Sequence, residues 1–199
     1  MALGTATAAH EYELRFDTGR VCLDLLATTH PVERLSSVEV LRAWITRSGL
    51  VPAGTSLAHA DSSWPAAFRE LRDAVAPLVR ARSRPGAPSH DRALARVNDL
   101  ARAAPPAPRA VPGDDGALVR CLDGPPGLAA LLAAVARDAV DLLTDPVARA
   151  SLRQCEGDNC PIVYVDTSRG RRRRWCSSEV CGNRERVARH RRRAALTRT

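Results

Sequence analysis

Apolar positions recur along this chain mostly at helical spacing, with a few short alternating runs. Residues 11–16 (EYELRF) alternate and Asp17-Thr18-Gly19 is a turn signal, so the opening reads as a short hairpin or as a strand leading into a helix. The next run, VCLDLLAT, is apolar except for Asp24, which is either the exposed side of an element or a buried carboxyl tied to an arginine. A capping-box pattern, Ser36 with Glu39, precedes a helix whose Val38, Leu41, Trp44 and Ile45 share one face and which Gly49 ends. Trp64-Pro65 opens a second helix behind Ser63, with Phe68, Leu71, Val75 and Leu78 at helical spacing and Pro77 shortening or kinking its end. A third helix, over about 91–103, presents Leu94, Val97 and Leu100. Residues 104–116 (APPAPRAVPGDDG) read as an extended linker, and 117–122 as a strand that could partner the N-terminal one. Residues 127–144 are apolar on most sides and predict the central, most buried helix, after which Asp145-Pro146 caps a short one.

Composition narrows this picture. Hydrophobic residues make up 45% and aromatics only 4%, so the core must be built from Ala, Leu and Val, which favours closely packed helices. The expected fold is mainly α with a small β component. It comprises a helical N-terminal domain over 1–147 and a small C-terminal module over 148–199. The net charge of +8 lies wholly in residues 151–199, which hold 13 arginines against 5 acids; the preceding 150 residues balance at 17 of each. A neutral body beside a basic end points to an anionic partner for that end. The chain has no lysine, so arginine at any one site says nothing about selection over lysine.

No secretory signal and no run approaching the roughly 20 apolar residues of a membrane span is present. The expectation is a cytoplasmic protein with no membrane partner and reduced thiols, in which paired cysteines bind metal rather than each other. Cys22 and Cys121 lie in apolar stretches and read as ordinary buried cysteines. His10, His30, His59 and His90 are scattered, and no phosphate loop, HExxH helix or nucleophile elbow occurs, so no catalytic set and no enzyme is expected.

The chemistry concentrates in CEGDNCPIVYVDTSRGRRRRWCSSEVC. Cys155 and Cys160 form one C-x4-C pair and, fifteen residues on, Cys176 and Cys181 form another. Two such clasps suit one tetrahedral Zn2+, and four protein ligands leave no open position, so the ion is structural. A module this small buries little apolar surface and needs the roughly 10–16 kcal/mol that structural zinc supplies. Ile162 to Val165 reads as a strand, residues 173–176 as its partner across the DTSRG loop, and Ser177 or Ser178 as the cap of a helix running through NRERVARHRRRAAL. A short strand over 151–155 also fits. His190 reads as a surface residue or phosphate contact.

These residues resemble the CGNR zinc finger of bacterial proteins, so the module over 148–199 is expected to be a ββα, treble-clef-like zinc finger. Cys181-Gly182-Asn183-Arg184 carries the signature, and Asp166, Ser168, Arg169, Arg172 and Trp175 match its D-x-S-R loop and R-x-W-C segment. The stretch GRVCLDLLATTH resembles the ABATE region that accompanies this finger, in a family described as stress-induced transcription regulators; Leu26 and Ala27 stand where that family usually has an aromatic and an asparagine. The resemblance implies DNA binding. On the residues themselves, Arg169 and Arg171, Arg172, Arg173 and Arg174 would clamp the phosphate backbone, with Thr167 and Ser168 as hydroxyl donors. Asn183, Arg184, Arg186, Arg189, Arg191, Arg192 and Arg193 would present the helix to the major groove, unless Asn183 serves the clasp instead. The alternative is a zinc-stapled module for RNA or an acidic protein. The N-terminal domain would form homodimers or sense a small-molecule effector.

Overall fold

The computed structural model describes residues 14–80 and 86–196. Seven α-helices and two small two-stranded antiparallel sheets make up the described residues, a mainly α fold with a small β component. Residues 11–13 of the alternating opening lie outside them, and Leu14 to Phe16 belong to no helix or strand. No helix among the described residues is long and apolar enough to cross a membrane.

The apolar run after Gly19 is helix α1 (Val21–Ala27), and Cys22 to Ala27 are all buried. Helix α1 has no side-chain N-cap of its own. Asp138, from helix α5 (Leu128–Thr144), does that work: one carboxylate oxygen accepts the Cys22 N–H at 2.9 Å and the other pairs with Arg20 at 2.8 Å. Helix α1 packs against α3 (Trp64–Val79) and α5, and α5 against α4 (Pro88–Ala101). In α5, Ala133, Ala136 and Ala139 are wholly buried, so the core is closed by small residues that let helices approach. Helix α2 (Val38–Arg47) adds Trp44, which meets Phe68 edge-to-face at 5.8 Å. Its cap is Ser37, whose Oγ accepts from Val40 N, and not Ser36. Pro77 is accommodated inside the last turns of α3, which runs on to Val79. A buried Arg72 ties α3 to the end of α1, donating to Thr28 Oγ1 at 2.9 Å and to both Glu33 carboxylate oxygens at 2.6 and 2.9 Å.

Asp24 is buried and bound to Thr18, not to an arginine: Thr18 Oγ1 donates to it at 2.7 Å and Thr18 N at 3.3 Å. Burial pushes its carboxyl up to about 7 despite those two hydrogen bonds. The folded chain therefore holds this proton more tightly than the unfolded chain, whose aspartates titrate near about 4. The stabilisation is fully present below about pH 4 and is lost as pH rises through about 7. Urea unfolding of Asp24→Asn is expected to lack this component, so the stability difference between wild type and variant should change across pH 4–8. A constant difference would show Asp24 ionised throughout.

Two strand expectations need correction. The presumed linker holds strand β1 (Pro108–Pro112), and residues 118–122 pair with it as β2 (Leu118–Leu122), not with the N-terminal segment. Gly113 donates to Ala117 O and Asp123 to Ala107 O, which puts Pro108 and Pro112 at alternate positions whose nitrogens face the open edge. The prolines thus cost no ladder bond and blunt that edge. Cys121 is half-buried on this exposed hairpin. In the finger, β4 (Val163–Val165) pairs with β3 (Leu152–Gln154), so the first clasp is itself the hairpin turn and residues 173–176 are not a strand.

Candidate metal centre and nucleic-acid interface

Four elements bring the cysteines together. Strand β3 ends at Gln154, and the N–H of the next residue, Cys155, donates to Ile162 O at 2.9 Å, closing the knuckle that carries Cys160. Gly157 lies in that knuckle; a Cβ there would stand 3.2 Å from Cys181 Cβ, a tight contact that the second clasp would have to yield to by a few tenths of an ångström. The 173–176 segment crosses the hairpin, fixed by Tyr164 Oη donating to Arg173 O at 2.5 Å and Glu156 N to Arg174 O at 2.9 Å. Cys176, at the end of this segment, is wholly buried among the other sulfurs, and the segment forms no strand. Ser177 then caps a π-helical turn (Ser178–Gly182) that carries Cys181, its Oγ accepting from Val180 N, and helix α7 (Asn183–Leu196) continues from it.

The four Sγ atoms lie within 4.8 Å of one another and all four residues are buried. Cys176 Sγ is 3.7 Å from Cys160 Sγ and 3.6 Å from Cys181 Sγ, far beyond a disulfide bond. A tetrahedral ion with zinc–sulfur bonds of about 2.3 Å sets its sulfurs about 3.8 Å apart. Backbone N–H groups of Gly157 and Cys176 point at Cys155 Sγ at 3.4 and 3.3 Å, as expected around a thiolate. Burial and the neighbouring sulfurs push the Cys181 thiol up to about 11 in the absence of a cation, so the cluster favours a dication that offsets this crowding. The donor set fits one structural Zn2+ held by Cys155, Cys160, Cys176 and Cys181.

The arginines do not act alike. Arg173 turns inward: its guanidinium donates to Trp175 O and Asp17 O, both at 2.9 Å, and to Cys176 O, and it lies 4.5 Å over the Tyr164 ring. Arg174 pairs with Glu156 at 2.6 Å, and Arg192 with Glu185 at 2.7 Å. Arg186 reaches Ser178 O at 3.4 Å. Arg184 lines a cleft of about 370 Å³ with Arg15, His30, Arg34, Asp158 and Cys181. Burial, then Arg184 and the other guanidiniums, lowers the His30 pKa there. Asn183, Arg193 and His190 are exposed on α7. Arg169, Arg171, Arg172, Arg189 and Arg191 are exposed, and their guanidiniums make no hydrogen bond or ion pair among the described residues.

Hydrogen bonds brace the loop that carries the first three. Buried Asp166 accepts Ser168 N at 2.9 Å and Arg173 N at 3.0 Å, and Ser168 Oγ accepts Arg172 N at 3.2 Å. The Ser168 hydrogen bonds hold the Asp166 carboxyl below its ordinary range. Arg172, Arg173 and Arg174 share a groove of about 470 Å³ with Ser177 and Ser178, at the start of the π-helical turn. The inward turn of Arg173 and the contributions of Gly157 and Arg15 were not among the sequence expectations. A glycine inside the first clasp was the one visible hint.

Comparison with known families agrees with this layout. The ABATE family model, described as "Putative stress-induced transcription regulator", matches residues 19–146. The CGNR zinc finger model matches residues 151–194. No curated protein matches the chain.

Proposed function

The chain belongs to the ABATE family and ends in a CGNR zinc finger, and from that premise we propose that it is a zinc-dependent, DNA-binding transcription regulator. The observation that carries this reading is the set of five exposed arginines whose guanidiniums have no partner among the described residues, three on the braced loop after β4 and two on α7. Zinc does no chemistry in this scheme; it fixes the loop and the helix relative to each other. Helix α7 has 14 residues, about 21 Å of length, and its diameter suits a major groove of about 12 Å. Phosphate contacts come from Arg169, Arg171 and Arg172, with Thr167 and Ser168 as hydroxyl donors. Arg189 and Arg191 present the helix, and Asn183 sits at its start. The N-terminal body would set oligomeric state or bind an effector, and no catalytic role is proposed.

The test is binding of the zinc-loaded full chain to duplex DNA, RNA and a simple polyanion over a range of salt. With five or more phosphate contacts, duplex affinity should fall by about two to three orders of magnitude between 50 and 200 mM salt. Affinity unchanged over that range contradicts the reading. Equal affinity for all three polymers reduces it to a generic basic surface, and preference for RNA or for an acidic protein moves it to another partner.

A further inference from the structure

Four thiolates around a dication leave a net charge of −2, and in a buried site that charge needs a nearby counterpart. Cys155 Sγ is answered within the finger by two backbone N–H groups. Cys176 Sγ receives none among the described residues. Its donor is Arg15, whose Nη2 lies 3.4 Å away from the opposite end of the chain. Arg15 is held for this contact: its side chain is 12% exposed, and the same nitrogen is 3.2 Å from Asp17 Oδ2. The Asp17 carbonyl in turn receives Arg173, whose backbone leads to Cys176. The joint is continuous on either side, since Val165 N donates to Thr18 O at 2.8 Å and Ala27 of α1 packs into the same cluster as the four cysteines.

We propose that the N-terminal segment completes the zinc centre, with Arg15 as a positioning residue whose guanidinium hydrogen-bonds the Cys176 thiolate and retains the ion. This rests on the zinc assignment and not on the DNA reading. Zinc retention then depends on the body being docked, and anything that pulls residues 15–19 away from the finger loosens the metal. A guanidinium stays charged at every physiological pH, so this support does not titrate.

The experiment uses the full zinc-loaded chain, with Arg15→Met and Arg15→Lys beside wild type. Zinc transfer to a chromophoric chelator is followed, together with the sulfur-to-metal charge-transfer band of the Co2+-substituted protein and the helical circular dichroism. Outer-shell partners typically change metal affinity by about ten- to a hundredfold. Arg15→Met is expected to lose zinc that much more readily and to shift the Co2+ band with helix content unchanged, while Arg15→Lys recovers most of the affinity. Zinc affinity of the Met variant within about twofold of wild type overturns the proposal. So does loss of helix in that variant, which would mean that Arg15 holds the body and not the ion, and so does a Lys variant no better than Met. None of these readouts involves DNA.

Discussion

Replacing Cys176 with Ser is expected to unfold the finger and leave the helical body folded. Cys176 is wholly buried and its sulfur stands within 3.7 Å of Cys160 and 3.6 Å of Cys181. Among the described residues, the apolar cluster around the sulfurs contains Ala27, Ile162 and Tyr164, with Trp175 and Val180 packed at its edge. Burying those side chains recovers a few kcal/mol each at most, whereas structural zinc contributes roughly 10–16 kcal/mol. Without the ion, the ordering cost of this segment is not met. The larger core around Trp44, Phe68, Leu71 and Leu131 contains none of the four cysteines; the finger adds Val163 and Val165 to it, while most of its members come from the helices of the body. The variant should retain no stoichiometric zinc, become rapidly cleavable by protease after about residue 150, and keep most of its helical signal. Protection of the finger from protease in the zinc-free variant would show that the module folds without metal.

The second large effect concerns binding. Changing Arg169, Arg171, Arg172, Arg189 and Arg191 together to Ala removes five uncommitted charges and breaks no hydrogen bond or ion pair among the described residues. Each phosphate contact contributes about −0.9 to the slope of log affinity against log salt, so the slope should become shallower by up to about 4.5. Affinity for duplex DNA at about 100 mM salt should fall at least about a hundredfold. Zinc content and helix content should not change. The contrast is Arg173→Ala, which removes the donor to Asp17, Trp175 and Cys176 carbonyls and the cover over Tyr164. That variant should weaken the finger itself, and its DNA defect should appear with a stability defect.

That contrast also marks how far the sequence could be read. Nothing in the letters RRRR distinguishes Arg173 from Arg172, because the inward turn is set by Tyr164, Asp17 and Asp166, which come from elsewhere in the chain. The cysteine ligands were legible because clasp spacing is local, and the main helices because their apolar faces repeat every three to four residues. The strand pairings were not, because pairing is non-local. Pro108 and Pro112 read as linker residues, yet at open-edge positions they are compatible with a strand. Residues 173–176 looked like a partner for β4, yet Cys176 is buried among the other sulfurs and the segment forms no strand. The cap on α1 was invisible for the same reason, since Asp138 stands more than a hundred residues from Cys22. Arg15 likewise bridges the two ends of the chain to reach the metal centre.

The central claim is that zinc arranges the arginines into a DNA-binding surface. The most direct measurement is the affinity of the full chain for duplex DNA before zinc removal, after removal by a chelator, and after zinc is restored. The account predicts strong, salt-dependent binding in the first state, loss of most of that affinity in the second, and recovery in the third. Equal affinity with and without zinc would contradict it, because a charged tail that needs no metal would then do the binding.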